Sequence, residues 1–104
     1  MCIRDRGVKY IFNCESSGTN PIWEALVDRD DIQIMAGVHE GAVVSMAYGY
    51  ALASVSEIPI TLCDSAGFLN KITPIHSAFV SRTPLVCGTA VSYTHLTLPT
   101  SDLV

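Results

Sequence analysis

No C-x-x-C pair, no G-x-G-x-x-G and no P-loop spacing occurs in these 104 residues, and each absence closes a class of function. Four scattered cysteines, at positions 2, 14, 63 and 87, give no structural zinc site or disulfide framework, and point to a reducing cytoplasm. Without a glycine-rich phosphate loop, a dinucleotide or nucleoside triphosphate site lacks its usual carrier. Basic residues are few: six Lys and Arg stand against ten Asp and Glu, for a net charge of −4. A nucleic-acid surface needs clustered positive charge, so nucleic acid is not an expected partner. Apolar runs all fall short of a membrane span, and no secretory signal is visible, so no membrane is expected either.

The two ends read as nucleotide sequence rather than protein. Met1 to Arg6, MCIRDR, is the translation of ATG TGT ATA AGA GAC AG, the transposase end used in sequencing libraries. Val91 to Leu96, VSYTHL, translates GTC TCT TAT ACA CAT CT, the reverse complement of that same end. The expected organisation is therefore 1–6 and 90–104 adapter-derived, with Gly7 to Thr89 a partial natural domain. That segment carries the whole net charge. It holds Cys14, Cys63 and Cys87, and is small for a complete α/β unit.

Strand and helix patterns alternate along it, which predicts an α/β fold with a parallel sheet and helices on both faces. Val8 to Asn13 reads as a first strand, and Asn20 as the N-cap of a helix with Pro21 in its first turn. Ile32 to Val38 is apolar enough for a strand covered on both faces. The helix from about Glu40 to Ser54 carries Val43, Met46, Ala47, Tyr50 and Ala51 at helical spacing, with Ala42, Val44 and Leu52 on its other sides, so burial nearly all round is expected. Ile58 to Cys63 is a third strand, the loop DSAGFLN follows, and Leu69 to Val80 is a helix that Pro74 should kink or delay. Pro84 to Cys87 reads as a fourth strand.

Three loops should share one edge of such a sheet, and ligands of open α/β sheets sit at that edge. They bring Ser16, Ser17 and Gly18, then His39 and Glu40, then Asp64, Ser65, Ala66 and Gly67. Glycine and serine allow close backbone approach to a ligand, although ordinary turn chemistry accounts equally for the first loop. Glu40 is an acid at a strand-to-helix junction. The helix N-terminus favours its carboxylate, whereas apolar burial favours the neutral acid. Spacing alone leaves two readings open: a proton-exchanging acid, or a residue that caps its helix. His39 and His76 have no partners at metal-ligand spacing, and no base is assignable for a nucleophilic Cys63, so no metal ligand is expected.

GVKYIF, DIQIMAGVHEGAVVSMAYGYALAS, SAGFLN and SRTPLV together resemble the N-terminal pyrimidine-binding domain of thiamine diphosphate enzymes, such as acetolactate synthase and benzoylformate decarboxylase. HEG followed by A-x-GYA is specific in combination. The resemblance implies a three-layer, flavodoxin-like fold. It also implies that Glu40 hydrogen-bonds N1′ of the cofactor aminopyrimidine and so activates thiamine diphosphate toward a 2-oxo acid. Cofactor-binding positions implied with it are Ser16, Ser17, Gly18, Ser65, Ala66, Gly67 and Asn70. Magnesium would be held by a C-terminal domain outside this chain. A homodimer or homotetramer is implied because such sites form between subunits, and this chain alone should be inactive. Two departures bear on substrate identity: Cys14, Glu15 and Ser16 stand where an N-P-G-like turn is usual, and Cys63 where some members have histidine. The alternatives are a separate pyrimidine-binding subunit of a sulfopyruvate decarboxylase-like enzyme and a noncatalytic α/β interaction module.

Overall fold

A computed structural model describes residues 6–55 and 57–90, so most of both flanks read as adapter-derived lies outside the described residues. Four strands, β1 (Tyr10–Cys14), β2 (Gln33–Gly37), β3 (Ile60–Asp64) and β4 (Val86–Ala90), form one parallel sheet in the order β2-β1-β3-β4. Helices α1 (Asn20–Leu26), α2 (Glu40–Ser54), α3 (Ser65–Phe68) and α4 (Ile72–Val80) fill the connections. Parallel neighbours require such crossovers, and the strand-helix alternation supplies them. This is the flavodoxin-like α/β architecture that the sequence predicts.

Strand periodicity divides the core between two faces. Ile11 and Ile60 pair in register and pack with Val8, Ile32, Trp23, Leu26 and Leu62 on the α1 face. One residue on, Phe12 turns to the opposite face and meets Val43, Ala47, Tyr10, Cys14 and Tyr50. Tyr10 and Tyr50 meet edge to face with centroids 5.0 Å apart. Val43 and Val44 are fully buried, and burial of each contributes roughly 1.5–3 kcal/mol.

The order places the reversal of the sheet between β1 and β3. From β1 the chain steps out to β2, crosses back over β1 through α2, and continues outward through β3 to β4. Connections after β1 and β3 therefore diverge, and a crevice opens at their carboxyl ends.

Several sequence expectations are corrected. β2 is an edge strand, four of its five residues are exposed, and Ile34 and Met35 are 42% and 39% accessible, so it is not covered on both faces. The apolar run reflects composition, whereas edge position follows from topology. α2 buries Gly41, Val43, Val44, Ala47 and Ala51 on one side, while Met46 and Leu52 are exposed, because the sheet and α4 cover one flank only. At α1 the cap is Thr19, with no side-chain cap bond, and Asn20 is already helical. The loop DSAGFLN contains the short helix α3 and runs into a 3-10 turn, Leu69–Lys71. Pro74 delays rather than kinks: α4 begins at Ile72, so Pro74 falls in the first turn, where an N–H has no helical partner. β4 lies two to three residues later than expected and includes Ala90.

Candidate functional site

His39 and Glu40 divide the work at the head of α2. His39 is extended (φ −148, ψ 135), and its Nδ1 accepts the Gly41 backbone N–H at 3.1 Å, so the cap belongs to His39. The capping role that spacing left open for Glu40 is thus filled by its neighbour. Glu40 is half-buried rather than buried, and its Oε2 accepts a hydrogen bond from Asn70 Nδ2 at 3.1 Å. Its own backbone N–H first, then the Asn70 amide, hold this carboxyl below its ordinary value. Partial burial opposes them, and the charges of His39 and Lys71 add to the lowering. Of the two influences expected on Glu40, the one favouring the carboxylate prevails.

The segment after β3 is built around that carboxylate. Asp64 ends β3 in extended conformation, and its Oδ1 accepts the Gly67 N–H at 2.7 Å, capping α3. This places Gly67 against the Glu40 side chain: a Cβ at position 67 would lie 2.7 Å from Oε1 and 2.9 Å from Cγ. Only glycine leaves that space open. Three residues on, Asn70 donates to Glu40, and its carbonyl oxygen would sit 2.8 Å from a Cβ at position 41. The segment is thereby pressed against the first turn of α2.

The expected site residues separate accordingly. Glu40, Gly67 and Asn70 are brought together, while Ser65 and Ala66 lie exposed on the first turn of α3. Ser16, Ser17 and Gly18 belong to a self-contained turn beside β3: the Thr19 hydroxyl donates to the Ser16 carbonyl at 2.8 Å, and Trp23 Nε1 donates to that hydroxyl at 3.0 Å. Ser17 and Gly18 are exposed; the Ser16 hydroxyl is buried without a partner. Between the ends of β1 and β2 lies an open cavity of about 500 Å³, lined by Cys14, Glu15, Ala36, Gly37 and Val38. The Cys14 thiol is pushed up, first by burial and then by the Glu40 charge, which makes it a poor nucleophile.

Sequence reasoning missed Lys71. Its side chain is fully buried, and Nζ has no hydrogen-bond partner. A single lysine within FLNKITPI gives no local sign of burial, because lysine is ordinarily solvated.

The family described as "Thiamine pyrophosphate enzyme, N-terminal TPP binding domain" matches residues 1–98. The chain is 31% identical over 85 residues to the mitochondrial acetolactate synthase catalytic subunit of Aspergillus candidus, covering 80% of this chain and 12% of that one. It is 34% identical over 84 residues to benzoylformate decarboxylase of Pseudomonas aeruginosa, covering 81% and 16%. Among solved structures, the thiamine diphosphate-dependent 4-hydroxybenzoylformate decarboxylase of Rhodococcus jostii RHA1 superposes with a TM-score of 0.82 at 28% identity, over 95% of this chain and 18% of that one. The chain thus spans less than a fifth of the length of these relatives. A match over nearly its whole length, together with the parallel sheet and the acid at the head of α2, shows that it belongs to the thiamine pyrophosphate enzyme family, as an N-terminal TPP binding domain.

Proposed function

We propose that this chain is the pyrimidine-binding part of a longer thiamine diphosphate-dependent enzyme that acts on 2-oxo acids, by decarboxylation or acetolactate-type carboligation. The observation that carries the reading is Glu40: an acid kept as carboxylate at the head of α2, freed from capping by His39 and steadied by Asn70. The residues present fit an aminopyrimidine. Asn70 engages Oε2, and the carboxylate has further lone pairs with which to accept a ring N–H. Gly67 keeps the space beside Oε1 clear.

Bound thiamine diphosphate supplies an electron sink for breaking or making a carbon-carbon bond at a 2-oxo acid. The chain's own contribution is narrower. Glu40 holds or releases a proton at the aminopyrimidine ring, and Asn70 and Gly67 fix where its carboxylate stands. Magnesium and the diphosphate are assigned to parts of the enzyme outside this chain, in keeping with the small share of its relatives that it spans. Assembly as a homodimer or homotetramer is supported by the exposed apolar flank of α2, including Met46 and Leu52. Free Cys14, Cys63 and Cys87 favour the cytoplasm.

The test is Glu40→Gln in the full-length protein that carries this segment. Turnover of a 2-oxo acid should fall by about 10²-fold or more while thiamine diphosphate still binds. Turnover equal to that of the unsubstituted enzyme would sink the assigned role.

A further inference from the structure

Two thiols stand side by side where the crevice opens, and the chemistry proposed for the site uses neither. The register of β1 on β3 pairs Ile11, Phe12 and Asn13 with Ile60, Thr61 and Leu62, so the next step along both strands sets Cys14 beside Cys63. Strand alternation gives them one face: Cys14 follows Phe12, and Cys63 follows Thr61, onto the side that α2 covers. Adjacent strands run about 4.8 Å apart, and a disulfide joins Cα atoms about 4.4–6.8 Å apart. The pair is within bridging reach without a shift of either strand. Both thiols are free. Their exposures differ, which fixes an order of events. Cys14 is half-buried and lines the open cavity of about 500 Å³ between the ends of β1 and β2, whereas Cys63 is 1% accessible. A reagent in the cavity meets Cys14 first. Cys63 Sγ rests toward the Gly88 carbonyl at 3.9 Å, a contact weak enough to surrender. Cys87 is engaged elsewhere: it lies opposite Thr61, whose hydroxyl donates to its Sγ at 3.2 Å, and so stands diagonal to Cys63 rather than level with it.

We propose that Cys14 and Cys63 form a redox-active thiol pair, which takes a low-molecular-weight disulfide as its oxidant and closes into a bridge across the mouth of the crevice. The Cys14 thiolate attacks one sulfur of the oxidant, breaks its S–S bond and expels the first small thiolate. Cys63, deprotonated, then attacks the Cys14 sulfur and expels the second. Two protein thiols thereby give up two electrons and two protons, and the oxidant leaves as two thiols. Around Cys14 stand Glu40 from α2, Lys71 from the 3-10 turn, and Asp64 and Cys63 from β3. Burial and the Glu40 charge slow the first attack, so the pair answers a sustained oxidising poise rather than a brief one. The bridge also fixes the neighbour of Asp64, the residue whose cap sets Gly67 against Glu40.

The test uses the full-length protein that carries this segment, incubated with glutathione disulfide, alkylated, digested with trypsin without reduction and read by mass spectrometry. Cleavage after Lys9, Arg29 and Lys71 separates the two cysteines, so the bridge should appear as peptide 10–29 linked to peptide 30–71. Dithiothreitol should abolish the link. In Cys63→Ser the reaction should stop at glutathione on Cys14, and in Cys14→Ser the Cys63 side chain should remain a thiol. A stable glutathione adduct on Cys14 of the unsubstituted protein overturns the proposal. So does Cys63 bridged to Cys87, or both thiols unchanged after prolonged incubation. The decisive readout is made on the unsubstituted protein, so it stands even if a variant does not fold. A bridge formed in a protein that does not bind thiamine diphosphate would sink the cofactor reading and leave this one standing.

Discussion

The segments that follow the two central strands start from the same edge of the sheet and are made of similar residues, yet only one of them reaches the acid. After β1, the carbonyls of Ser16 and Ser17 accept only from the next few residues, Thr19 and Asn20, and Trp23 closes the turn on itself. After β3, Asp64 caps a short helix, and the residues that follow reach outward, Gly67 to the flank of Glu40 and Asn70 to its oxygen. A serine- and glycine-rich loop at a sheet edge is thus weak evidence of a site. What distinguishes the second segment is that its bonds leave the segment.

Four substitutions test how deep this contrast runs. The largest effect should come from Gly67→Ala, whose Cβ would displace the flexible Glu40 side chain rather than unfold the chain. A misplacement of that kind should reduce turnover of the full-length enzyme by about 10²-fold. Next, Asp64→Ala removes the α3 cap and should cost about 1 kcal/mol in urea unfolding, with the Asn70–Glu40 contact loosened. Asn70→Ala should act through pH. The lowered Glu40 carboxyl contributes stability that is fully present above the ordinary value near 4.5, and is lost as pH falls through its lower folded value. Without Asn70 the folded value moves up, so the loss on acidification between about pH 5 and pH 3 should be smaller, as read by urea midpoints across that range. Least of all, Ser17→Ala should change stability by less than about 0.5 kcal/mol and leave the Glu40 titration unmoved. A shift in that titration would erase the distinction between the two segments.

Much of this was legible in the chain itself. Alternating apolar runs and turn residues fix the parallel α/β class, and the strand-to-helix junction singles out Glu40 before any geometry is known. Legibility fails where a residue's situation depends on distant chain. Ile34 and Met35 have the composition of a central strand, but β2 lies at the edge because α2 carries the chain back over β1. Glu40 and His39 are both plausible caps by position, and only the His39 backbone and its Nδ1 contact decide between them. Within DSAGFLN, glycine conceals a four-residue helix, though an aspartate three residues before that glycine's N–H is the trace of its cap. Lys71 is the extreme case: its burial follows from Asn70 and Gly67 closing on α2, a contact between residues thirty positions apart.

The cap on α2 also bears on how such a domain can change over generations. Since His39 secures the helix and Glu40 stands free of that duty, the helix start and the proposed acid are encoded by separate neighbouring codons. A single base change from a glutamate codon to a glutamine codon would silence the acid and leave the helix start intact. Under the proposed role of Glu40, lineages descended from this chain would shed activity in one step while keeping a sound scaffold, and scaffolds of that kind are raw material for new binding roles.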